Sequence, residues 1–366
     1  MHMSRVQRKN DGLGYFNLLR GLGLLFIVVG HSIAPFLINQ TPTITGPVFS
    51  GAGRVLGGGI LALFFVISGM GFYRRSPGKC LAIQTKLLLK PYALTGISLI
   101  AAKIVVNYFK GKPFLQMGFG QFLTFLFGLN ASQGRKLFRF PISTISILWF
   151  IVALFGGWVL FNCILHLPEK KHQYLCVLGC MLLSWVLSLI SKVWPFALPM
   201  VLLAVVYIFV GYEIRRRHLL YRKLSVFSWC VLGFAAMISL TFGYVDIAAC
   251  VWKLGPIDIL GTVAVAFGLL RMYARFMRRG IQNRLVDQLE HLGMNSIRIL
   301  CLHAFEHALL PWRNLTSLLP NTPVLCAVIC LLGKGIVIWL LYQLLFHLPH
   351  KKKTPVTIEL QEGTTT

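Results

Sequence analysis

Apolar runs long enough to cross a bilayer recur along this chain from one end to the other, and that repetition leaves few folds open to it. About 20 consecutive apolar residues traverse the roughly 30 Å of hydrocarbon in a membrane. Such runs fall at 13–37, 55–73, 87–108, 145–165, 174–191, 196–213, 224–245, 257–274, 295–312 and 323–346. With 56% hydrophobic and only 13% charged residues among 366, a water-soluble partition of core and surface is not available. The expected fold is all-α, a polytopic transmembrane helix bundle of about ten spans. It comprises a short segment 1–12, an integral membrane domain 13–346 and a basic, polar tail 347–366, with no soluble catalytic module expected at either terminus.

Lys and Arg outnumber Asp and Glu by 36 to 10. In a soluble chain this excess would suggest nucleic acid, but in a membrane protein it is mostly topological, so lipids and not nucleic acid are the expected partners. The first span follows Arg5, Arg8 and Lys9. It is too long for a signal-peptide core and lacks a cleavage signature, so it is expected to stay in the mature protein. An eleventh apolar stretch, 114–129, is short, contains glycine and is bounded by Lys112, Pro113 and Asn130. If it does not cross, the loops on the N-terminal side are far richer in Lys and Arg than those opposite; if it crosses, the bias reverses. Both termini are therefore expected in the cytoplasm, with 114–129 re-entrant or interfacial. This topology gives the cytoplasm the RRSPGK, EIRRRHLLYRK and RMYARFMRRGIQNR segments, whose arginines are expected to anchor orientation, with one or two at the rim of a cytoplasmic mouth.

The nine cysteines lie mostly within apolar runs and show no CxxC spacing. They read as small packing residues, which argues against a disulfide frame, a metal site or redox chemistry.

Two ionisable residues stand inside the first run, in FNLLRGLGLLFIVVGHS. Arg20 and His31 are separated by about three helical turns, so they share one face about 16 Å apart along the axis. Ionisable groups within a span are costly and mark function by default. An imidazole exchanges protons near neutral pH, which makes His31 the candidate base; its structural alternative is a hydrogen bond between helices. Arg20 stays charged and needs an anionic or carbonyl partner, either a bound ligand or a carboxylate such as Glu213. Ser68 and Gly69 permit close backbone approach to a neighbouring helix or to a slender ligand. Trp149 and Phe150 suit an outer aromatic belt, with sugar stacking as the secondary reading. His303, Glu306 and His307 spell H-x-x-E-H, a zinc-peptidase pattern, but no further convincing ligand set accompanies them and no metal is expected.

Several ordered motifs accompany the Arg20 and His31 pair: LFFVISGM (63–70), TKLLLKPY (85–92), LWFIVALF (148–155), IFVGYEIRRR (208–217) and LGMNSIRILCLH (292–303). Taken in this order, they resemble the integral-membrane acyltransferase-3 family, in particular its fucose 4-O-acetylase-like branch of sugar O-acetyltransferases. The resemblance covers about Tyr15 to His303. It implies transfer of an acyl group, usually acetyl from cytoplasmic acetyl-CoA, to a hydroxyl of a cell-envelope glycan or its lipid-linked precursor, in a bacterial plasma (inner) membrane. It makes Arg20 and His31 the functional pair, with Arg20, Lys86, Arg75 and Ser68 on the donor side and Trp149 and His303 on the acceptor side. The chain departs from the family where Lys86 and Lys90 precede Pro91 and Tyr92 in place of the more usual arginine, because lysine lacks the bidentate fork. No extracytoplasmic esterase-like domain of the kind some relatives carry is expected. The competing function is a multi-span transporter or flippase of a polar solute, for which paired broken helices in an internal repeat would speak; no repeat is found.

Overall fold

The computed structural model describes residues 13–38, 47–129, 135–137, 140–142, 146–278 and 283–346, and the segments 1–12 and 347–366 lie outside the described residues. Among the described residues eight helices are long and apolar enough to cross a membrane. The spans expected at 224–245 and 295–312 are also helical but shorter, at 17 and 14 residues. No closed sheet is present among the described residues, and the bundle is all-α apart from two small hairpins.

In chain order, α1 covers Asn17–Ile33 and runs into a π-helical turn, Ala34–Ile38. Next, α2 is Pro47–Met70. A long rod follows, in which α3 (Pro77–Gln84), a π-helical turn (Thr85–Leu89) and α4 (Lys90–Phe109) succeed one another without a break. Then come α5 (Phe114–Leu126), α6 (Trp149–Ile164), α7 (Lys170–Ile190) and α8 (Leu198–Arg216). The remaining helices are α9 (Val226–Phe242), α10 (Pro256–Met277), α11 (Arg284–Met294), α12 (Ser296–Leu309), α13 (Leu315–Leu318) and α14 (Pro323–Phe346). Proline in the first turn, whose missing N–H costs nothing there, opens α3, α4, α8 and α10. The side chains of Ser225 and Asn283 cap α9 and α11 by accepting from the N–H groups of Ser228 and Val286.

Contacts between helix ends sort them into two layers. At one end Tyr15, before α1, meets Tyr221, after α8, and Tyr273, near the end of α10. There too Arg215 of α8 donates to the carbonyl of Phe72, just past α2, and Asn162 of α6 makes two bonds to the Arg75 backbone. At the other end Arg54 of α2 pairs with Asp246, Lys192 past α7 donates to Cys250, and Phe196 before α8 donates to Phe127. Successive spans thus alternate in direction, and the first layer carries Arg215, Arg216, Arg217 and Arg278, so it corresponds to the side that the positive-inside bias assigns to the cytoplasm.

The 13-residue α5 is about 20 Å long, too short to span. It folds back along α4, with Gly118 against Ile104, Lys103 bonded to Gln121 and Tyr92 stacked on Phe125. A helix this short that folds back on its neighbour fits the re-entrant or interfacial course expected for 114–129.

Glycines set the tightest crossings. A Cβ on Gly69 of α2 would sit 2.0 Å from the Ile208 carbonyl oxygen of α8, and one on Gly211 would sit 1.9 Å from that of Val66. A further close crossing is a structural surprise, because residues 284–294 read as cytoplasmic loop in the sequence. They form α11, which lies along α1 with Gly21 against Leu289 and Gly293 against Asn17. The apolar side of α11 is narrow, with Val286, Leu289 and Gly293 buried among charged neighbours, so hydropathy over a span-length window misses it.

Candidate active site

The α1 helix borders a cavity of about 560 Å³ inside the bundle. Its other walls come from α2, the start of α6, the segment after α9 and the first turns of α12. Asp258, in the first turn of α10, fixes that segment. It is fully buried and accepts from Ser239 Oγ (2.7 Å), Leu254 N (2.8 Å) and Tyr244 N (3.4 Å), an anion where the helix dipole favours one. The hairpin it holds, β1 (Val245–Asp246) paired with β2 (Val251–Trp252), presents Val245 and Asp246 to the cavity.

Five of the residues singled out in the sequence meet on this cavity: Arg20, His31, Ser68, Trp149 and Phe150. The shared face of Arg20 and His31 is realised. Arg20 finds no carboxylate among the described residues, and its Nη2 donates to Ser296 Oγ at 2.7 Å. Glu213, the carboxylate that could have claimed it, is committed to Arg216 (2.7 Å) and Arg217 (2.6 Å), which also reach Tyr174. Between Arg20 and His31 the wall is apolar, with Leu24 and Ile27 from α1 facing Phe64, Phe150 and Leu300. Trp149 belongs to this wall and not to an interfacial belt, since it is 8% exposed and packs edge-on against Phe150. Across the cavity Arg54 and Asp246 form an ion pair at 2.5 Å, with the Arg54 guanidinium 5.4 Å from the Tyr244 ring.

Lys86, Arg75 and His303 do not line the cavity. Lys86 is exposed on the π-helical turn before α4, and Arg75 lies at the cytoplasmic layer with its backbone clasped by Asn162. His303 is fully buried behind His31, their ring centroids 5.4 Å apart. Among the cytoplasmic arginines, Arg215 stacks on Tyr73 at 4.3 Å and Arg271 on Trp229 at 5.3 Å. Arg271, Arg275 and Arg278 line a second, smaller cavity of about 190 Å³ beside Tyr221.

Behind His31 lies a polar cluster that the sequence reading left apart. Glu306 accepts from His303 Nδ1 (2.6 Å), Trp312 Nε1 (2.7 Å) and Lys334 Nζ (3.2 Å), and Lys334 also reaches His307 Nδ1 at 3.1 Å. Lys334 is the lone charge within 323–346, which is a signal for function or pairing in a span. Ser296 and the Arg54–Asp246 pair carried no such signal, since their partners lie 276 and 192 residues away.

No curated protein and no solved structure matches the chain. The family of acyltransferase domains does, over residues 13–348, which takes in every element of the bundle and both faces of the cavity. The chain therefore belongs to the acyltransferase-3 family and is a multi-pass membrane acyltransferase.

Proposed function

We propose that the protein is an O-acyltransferase of a bacterial plasma membrane, akin to the fucose 4-O-acetylase-like branch. It moves an acyl group, acetyl in the simplest case, from cytoplasmic acyl-CoA to a hydroxyl of a cell-envelope or lipid-linked glycan. The observation that carries this reading is that Arg20 and His31 open onto one cavity, the guanidinium nearer the cytoplasmic layer and without a carboxylate partner among the described residues.

A charge in that setting is best satisfied by an anion or a polarised carbonyl. Arg20 holds the donor, while Lys86 and Arg75, outside the cavity in the cytoplasmic half, meet the CoA phosphates on their way in. Ser68 lies beside the donor's path. His31 takes the proton of the acceptor hydroxyl as its oxygen attacks the thioester carbonyl. The C–S bond then breaks, and the proton passes to the leaving thiolate, so the reaction consumes no net proton. Trp149 offers its ring to the acceptor sugar.

The test is to incubate the purified chain in lipid nanodiscs with radiolabelled acetyl-CoA and a panel of sugars and lipid-linked glycans. Labelled ester that forms with wild type and not with His31→Ala supports the reading. Absence of ester with every acceptor, together with solute flux in liposomes, supports a transporter instead.

A further inference from the structure

We propose that Glu306 and His303 are positioning residues for His31, forming a carboxylate–imidazole pair that orients the His31 ring and stabilises its charge while it holds the hydroxyl proton. This inference rests on the reading of His31 as the base.

The geometry assigns the hydrogens. A carboxylate only accepts, so the 2.6 Å contact requires His303 Nδ1 to donate to Glu306. In the neutral ring the lone pair then falls on Nε2, and that atom is buried without a hydrogen-bond partner. An orphaned acceptor inside a bundle is costly and rare, so its persistence points to a user within reach. Two imidazoles joined by an N–H···N bond have centres about 5 Å apart, and His31 lies 5.4 Å from His303. A small turn of the His31 ring brings one N–H onto His303 Nε2 and leaves its other nitrogen free to serve the cavity. This is the logic by which a buried carboxylate orients a catalytic histidine, extended by one ring.

The remaining groups facing this pair serve the same end. On α12, His307 lies 5.0 Å from His31, ring centre to ring centre. Its Nδ1 receives Lys334 of α14 at 3.1 Å, which leaves its own proton on Nε2, so it cannot replace His303 as an acceptor. Lys334 and Trp312 hold Glu306 from the far side. Glu306 and Lys334 are at most 1% exposed and His303 is fully buried. An ion pair of Glu306 and Lys334 alone would suffice to bury the lysine. The interposed His303, aimed at His31, is the surplus that a purely structural pair does not need.

Two measurements on the full-length protein in nanodiscs test the proposal. In ¹⁵N-histidine spectra, with the His31 signals identified by their loss in His31→Asn, the tautomer ratio of His31 should change on His303→Leu and largely return in His303→Gln. In thiol release from acetyl-CoA with water as acceptor, His303→Leu should lower kcat about 100-fold and leave KM within about threefold, with His303→Gln restoring at least tenfold. Because Glu306→Gln alone strands Lys334, the double variant Glu306→Gln/Lys334→Met serves as the folded counterpart and should show the same fall in kcat. His31 tautomers unmoved by His303→Leu, or a double variant with wild-type kcat, would overturn the proposal. Wild-type protein that releases no thiol counts against acetyl-CoA as the donor, and the tautomer measurement then decides the pairing by itself.

Discussion

Arg20 donates through Nη2 to the hydroxyl of Ser296 at 2.7 Å, and this bond ties the cavity wall of the first span to the start of α12, 276 residues later. A neutral hydroxyl orients the guanidinium without neutralising it. Ser296→Ala should therefore raise KM for acyl-CoA by no more than about tenfold, the upper value of one ordinary hydrogen bond. Arg20→Gln should raise it more than about thirtyfold, and Arg20→Lys should recover only part of that, for want of the planar fork. Initial rates across a donor concentration series check the ranking.

The contact of α1 with α11 is made by backbone. A methyl on Gly21 would stand 2.0 Å from the Leu289 oxygen, and one on Gly293 would stand 1.8 Å from the Asn17 oxygen. Neither neighbour is a side chain that can swing away. Gly21→Ala and Gly293→Ala should each destabilise the protein by about 2 kcal/mol, within the range for overpacking. Gly179→Ala, with open space around it, should have little effect. Thermal unfolding in one detergent, read side by side, gives the comparison.

The architecture was largely legible in the sequence because bilayer thickness imposes a length that hydropathy detects. The charge bias of the loops likewise placed 114–129 as a segment that does not cross. Arg20 and His31 were legible because cost makes an ionisable group in a span conspicuous. What escaped was whatever depended on residues distant in the chain. The α11 helix buries only a narrow stripe on α1, Ser296 looks like any small polar residue, and Arg54 meets Asp246 only once α2 and the α9–α10 connection are packed. The H-x-x-E-H pattern was visible, but the structure binds its Glu306 to a lysine of another span.

The pair of Arg54 and Asp246 lines the cavity at the end away from the cytoplasmic layer, with side-chain exposures of 39% and 20%. Asp246→Asn and Arg54→Gln should each loosen the hairpin and lower stability by about 1 kcal/mol, as expected for a partly exposed pair. The exchange Arg54→Asp with Asp246→Arg should recover at least half of that loss. A double-mutant cycle on unfolding midpoints measures the coupling.

Lys86 and Arg75 lie outside the cavity, so under the proposed function their effect should be that of screened charges. Lys86→Ala and Arg75→Ala are expected to raise KM for acyl-CoA about two- to fivefold at low salt, and the difference should fade near 0.5 M salt. The Arg20→Gln defect should persist there, since Arg20 is only partly exposed and lies within the bundle. A salt series of KM values for the three variants separates the two behaviours.

The measurement closest to the central claim is the turnover of radiolabelled acetyl-CoA by purified wild type and His31→Ala in nanodiscs, on matched amounts of folded protein. With His31 as the base, kcat should fall at least about 100-fold while KM stays within about threefold. A His31→Ala protein that turns over at the wild-type rate would contradict the account.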